Sequence, residues 1–124
     1  MFALLMGLKS VSPGDLHRLM QNEPVTVIDV NSAQSWEKAH VPGARNLDPV
    51  GYGESDLPSD KDSTVVFYCS NLMCRKAPNA ARRAKEMGYK RVQVMSAGIS
   101  GWLSAELPTE SGERHASPAG APTR

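Results

Sequence analysis

Cysteine is scarce in this chain: Cys69 and Cys74 are the only two among 124 residues. That is too few for the disulfide scaffold of a small secreted domain, so the fold has to rest on an apolar core. Metal ligands are equally thin. The cysteines lie five apart and His17, His40 and His115 are scattered without ligand spacing, so neither a metal site nor a cofactor is expected. Net charge is small, a formal +1, which gives no reason to expect nucleic-acid binding. Long apolar runs are missing too. Met1 to Leu8 is apolar but far too short to span a bilayer, and it lacks the basic start and small-residue cleavage site of a signal peptide. A cytoplasmic, reducing setting is therefore expected, in which both thiols stay free.

What is present suits one domain: 40% apolar residues, mixed with charges. Ser12 and Pro13 read as the cap and first position of a helix carrying Leu16, Leu19 and Met20, closed by Asn22 and Pro24. Val25 to Val30 is β-branched on both faces, as a buried parallel strand requires. Asn31 to Lys38 reads as a short helix anchored by Trp36. A Pro/Gly turn then leads to a short strand near Arg45 to Leu47. From Asp48 to Asp62 the composition predicts a loop with at most one helical turn. Thr64 to Tyr68 is a second buried strand. Ala77, Ala80, Ala81, Ala84 and Met87 recur at helical spacing up to Gly88, a natural stop. Arg91 to Met95 is another strand, and Ala97 to Ala105 a short helix with Trp102 inward. Alternating helices and apolar strands give an α/β class, a mostly parallel sheet of about five strands with helices on both faces. The domain is expected over residues 8–107. Residues 1–7 form an apolar extension, suited to packing at the core edge or on a partner in a homodimer, and 108–124 a flexible tail.

Charge is not spread evenly along this plan. Arg75, Lys76, Arg82, Arg83, Lys85, Lys90 and Arg91 hold half of all Lys and Arg, against the single acid Glu86 between Cys69 and Arg91. Cys69 stands where a buried strand stops, and in parallel sheets ligands bind beyond such ends. Pro78 fits only a first turn, so the helix must begin near Lys76 or Ala77. The amides of Ser70, Asn71, Leu72, Met73 and Cys74 thus precede a helix start and can converge on an anion. Arg75 adds a planar fork for two of its oxygens, and Lys76 adds charge. The same positive field favours the Cys69 thiolate. Cys69 is the expected nucleophile. Cys74 reads as packing beneath the loop, with a resolving thiol as the alternative. Asp29 is expected to cap the following helix or, as a supporting group, to orient the loop; His40, in its Pro/Gly turn, is expected to make a structural hydrogen bond, with general base the alternative.

These segments resemble rhodanese-like domains. Val65 to Cys69 with its loop and Ala80-Ala81 is similar to the active-site segment of that family. Ile28-Asp29-Val30, Trp36 and Ala39 to Leu47 look like its upstream signature, and Ala97 to Trp102 resembles its closing Gly-rich turn and Trp helix. The resemblance implies a sulfurtransferase in which a Cys69 persulfide carries sulfur from thiosulfate or a similar anion to a thiol, cyanide or a protein acceptor, with Arg75 and the loop amides holding the donor. Two departures matter. Five residues, none of them Gly, separate Cys69 from Arg75 where the family usually has four, and Asn31 stands where an Arg is frequent. The longer loop matches related dual-specificity phosphatases and arsenate reductases, so phosphate or arsenate chemistry is the alternative. A non-catalytic module sensing an anion or redox state is a further one.

Overall fold

The computed structural model describes residues 8–112. The apolar extension 1–7 and the last part of the tail, 113–124, with the expectations attached to them, lie outside the described residues. Five strands and four helices alternate: β1 (Lys9–Ser10), α1 (Pro13–Asn22), β2 (Thr26–Asp29), α2 (Ala33–Lys38), β3 (Arg45–Asn46), β4 (Thr64–Tyr68), α3 (Lys76–Glu86), β5 (Arg91–Val94) and α4 (Gly98–Ser104). One 3-10 turn, Glu54–Asp56, interrupts the long loop between β3 and β4. All pairings are parallel, in the order β1-β5-β4-β2-β3.

Strand β4 sits in the middle, and all five of its residues are buried. Its alternation divides the core into two. Val65, Phe67 and Cys69 point to a cluster with Ile28, Val30, Val92 and the alanines of α3. Val66 and Tyr68 point to the other, with Leu16 of α1, Val41, Met95 and Trp102 of α4. Small side chains explain how close α3 lies: Ala77, Ala80, Ala81 and Ala84 are all buried, and Gly88 ends the helix with φ +101°. Helix α1 starts where its cap predicts, with Ser12 Oγ accepting the Asp15 amide at 3.1 Å.

The start of the tail differs from its composition. Residues 108–112 are held rather than frayed: Glu110 and His40 exchange backbone hydrogen bonds at 2.9 Å, Gly112 N–H donates to Glu37 O at 2.8 Å, and Trp102 Nε1 donates to Pro108 O at 2.7 Å. Glu110 Oε1 also accepts the Gly43 amide at 2.9 Å. Polar composition hides this segment because it is fixed through main-chain bonds and not by apolar burial.

The strand order fixes where a site can form. From β2 the chain steps outward to β3, whereas from β4 it steps the opposite way to β5. The loops leaving β2 and β4 therefore part at the carboxyl edge, the crevice where open parallel sheets take ligands.

Candidate active site

Two loops meet at that crevice. The β2 loop is set by Asp29, which is wholly buried and accepts the Asn31 amide through Oδ1 at 2.7 Å. Asn46 Nδ2 holds the same loop by donating to the carbonyls of Asp29 (3.0 Å) and Asn31 (2.9 Å). Asn31 then reaches across: its Oδ1 accepts the Ser70 hydroxyl at 2.9 Å. Asp29 thus reaches the Cys69 loop through Asn31. It does not cap α2, as expected from sequence; Ser32 does, with Oγ accepting the Ser35 amide at 3.2 Å. Ser32 stands directly before the helix, whereas Asp29 is still in the strand. Burial pushes the Asp29 carboxyl above its ordinary value, opposed by the Tyr68 hydroxyl and the Asn31 amide. Burial likewise raises Tyr68, whose hydroxyl oxygen accepts the Val41 amide at 3.0 Å.

The β4 loop is clamped from the α4 side. Ile99 N–H donates to Cys69 O at 2.9 Å and Ser100 N–H to Ser70 O at 3.0 Å. Gly98 permits this approach. It has φ +66°, and a Cβ there would lie 2.5 Å from the Ser70 carbonyl carbon. Sequence reading missed Asn31 and Gly98 as parts of the site. Their signals were a polar residue just past a buried strand end and the first glycine of the Gly-rich turn.

Within the loop, Asn71 organises the tip. Its Oδ1 accepts the Met73 amide at 2.9 Å and its carbonyl accepts the Cys74 amide at 3.2 Å. This turn folds the chain back until the Cα atoms of Cys69 and Cys74 are 6.4 Å apart, and the two sulfurs are bonded. Neither thiol is free. This corrects two expectations: the loop holds a disulfide in place of two reduced thiols, and Cys74 does more than pack, although it does lie against the core cluster of Cys69. Of the five amides expected to face an anion, those of Met73 and Cys74 are turned inward to Asn71. Leu72 and Met73 are exposed at the tip, 51% and 76%.

A small recess, open to solvent and with room for about one water, lies beside the disulfide, lined by Cys69, Asn71, Leu72, Cys74, Pro78 and Met95. Arg75, exposed at the cap position of α3, and Lys76 are not part of its wall. Lys76 lines the neighbouring hollow with Asn31, Asn46 and Leu47. His40 is placed elsewhere. It is fully buried and stacked on Trp36 (centroids 4.2 Å apart), its Nδ1 is 2.6 Å from Trp36 O, and the next residue, Val41, belongs to the Trp102 cluster across the sheet from the Cys69 side chain.

Compared with known families, residues 12–105 match the rhodanese-like domain. The chain belongs to that family. Among rhodanese-like relatives, it is 28% identical to the thiosulfate sulfurtransferase GlpE of Glaesserella parasuis, over 82% of this chain and 93% of that one. It is 30% identical to an HTH-type transcriptional regulator of Mycobacterium tuberculosis over 83% of this chain, which spans only 45% of the regulator's length. A solved rhodanese with anions from E. coli is 28% identical with a TM-score of 0.59, covering 72% of this chain and all of the other. Among the described residues, no helix of this rhodanese-like domain is long and apolar enough to cross a membrane.

Proposed function

We propose that the reduced chain is a sulfurtransferase whose Cys69 takes sulfane sulfur from thiosulfate or a similar anion. The observation that carries this is the position of Cys69: at the carboxyl end of the central strand, in a loop that runs directly into the N-terminus of α3. A dithiol first opens the Cys69–Cys74 bond. The Cys69 thiolate then attacks the outer sulfur of thiosulfate, sulfite leaves, and a Cys69 persulfide remains. Loop amides of Ser70, Asn71 and Leu72, the start of α3 and the Arg75 guanidinium supply the positive groups for the sulfonate, with Lys76 adding to the field. The acceptor is a small thiol, cyanide or a protein thiol. The likeness to GlpE supports this reading at the level of the reaction class.

The test is turnover of thiosulfate by the protein in the presence of a dithiol, read as released sulfite. Ping-pong kinetics are expected, and Cys69→Ser should abolish the release; a fully active Cys69→Ser protein overturns the proposal. The Cys69 to Arg75 spacing favours a second reading, oxyanion chemistry on phosphate or arsenate. Cys69-dependent hydrolysis of an aryl phosphate by the reduced protein, without thiosulfate turnover, would replace the first reading with it. If Cys69 stays unreactive toward iodoacetamide after reduction, the loop is a non-catalytic sensing module.

A further inference from the structure

We infer that Cys74 is a resolving thiol that discharges the Cys69 persulfide within the loop, so that the sulfur leaves as hydrosulfide. The inference rests on the sulfurtransferase reading and goes beyond it, because that reading needs only one cysteine. Its basis is the observed bond. With Cα atoms 6.4 Å apart and the tip folded back through the Asn71 carbonyl, the Cys74 sulfur reaches Cys69 Sγ from inside the loop. Cys74 is half-buried against the Cys69 cluster, and both cysteines line the same recess. An acceptor from solution has to enter that recess, whereas Cys74 is already in its wall. Intramolecular attack therefore has the advantage of proximity.

The step balances with the cysteines alone. The Cys74 thiolate attacks Cys69 Sγ and forms the disulfide, and the bond from Sγ to the sulfane sulfur breaks. Hydrosulfide leaves with the electron pair and the persulfide proton. The Cys74 sulfur is oxidised and the outer sulfur reduced, while Cys69 Sγ exchanges one S–S bond for another. A dithiol reductant then restores both thiols, so one turnover converts thiosulfate and a dithiol to sulfite, hydrosulfide and the oxidised dithiol. The disulfide in the structure is the resting product of this step.

The experiment compares wild type with Cys74→Ser, and with Cys74→Ala as a control for the added hydroxyl. Each is reduced, freed of reductant and exposed to thiosulfate, then read by intact mass and by trapping of released hydrosulfide. Wild type should release one equivalent of hydrosulfide per chain with no thiol added, and end two hydrogens lighter than its reduced form. Both variants should keep one extra sulfur on Cys69, dischargeable by cyanide, and lose the hydrosulfide release. If wild type also keeps its sulfur on Cys69, the resolving role is overturned while sulfur transfer stands. Sulfur mapped to Cys74 in wild type overturns it too, in favour of relay to the second thiol. If no protein takes up sulfur although iodoacetamide labels Cys69, the sulfurtransferase reading itself falls and this inference with it.

Discussion

Among single residues, Asp29 shows how a buried group shapes the site without touching its chemistry. Its carboxyl is raised chiefly by burial, so the folded chain binds that proton more tightly than the unfolded one. The stability it contributes is full below the ordinary value of 3.8 and declines as pH climbs through the raised folded value. Asp29→Asn keeps an oxygen for the Asn31 amide and removes the titration. Urea midpoints taken from about pH 4 to 7 should therefore fall less for this variant than for wild type, and parallel curves would refute the assignment. Asp29→Ala is different, since it orphans the buried Asn31 amide and should cost about 1–3 kcal/mol at any pH. The sequence offered Asp29 as a group that orients a loop, but the link from Asn31 to Ser70 was not legible in it. Asn31 and Ser70 are 39 residues apart, and only the pairing of β2 with β4 makes them neighbours.

The elements were far more legible, because each has a local cause. The cap and proline at Ser12 and Pro13 placed α1, the alanine spacing and Gly88 placed α3, and β-branched runs placed β2 and β4. What local patterns could not give is how elements lean on one another. Gly98 begins α4 and reads as a turn residue, yet its lack of a Cβ is what lets α4 dock on the Cys69 loop. Gly98→Ala should cost about 1–3 kcal/mol through left-handed strain, and more where the Ser70 backbone must shift, with loss of thiosulfate turnover. Gly43 is the comparison: its φ is +79° but nothing lies within 4 Å of a Cβ there. Gly43→Ala should cost about 1–2 kcal/mol and leave turnover intact. Equal losses of turnover in the two variants would contradict the docking role of Gly98.

At the scale of the molecule, the chain closes on itself through residues 108–112, which bind the α2 to β3 region and Trp102 together. A chain ending at Leu107 loses five hydrogen bonds: the two between His40 and Glu110, Gly43 to Glu110, Gly112 to Glu37 and the Trp102 indole to Pro108. At about 1 kcal/mol each, its unfolding free energy should drop by roughly 3–5 kcal/mol, and an unchanged urea midpoint would show that the strap is dispensable. The clamp of α4 on the Cys69 loop has its own consequence when protons are followed in time. The Ile99 and Ser100 amides are bound from α4 to the loop's base, on the carbonyls of Cys69 and Ser70, where the ring closed by the disulfide begins. They should exchange with deuterium as slowly in reduced protein as in oxidised. The Met73 and Cys74 amides hang only on Asn71, within the closed ring, and should exchange faster once the ring is cut. One short loop thus contains two layers of motion, a permanent base and a tip whose order follows its sulfur chemistry.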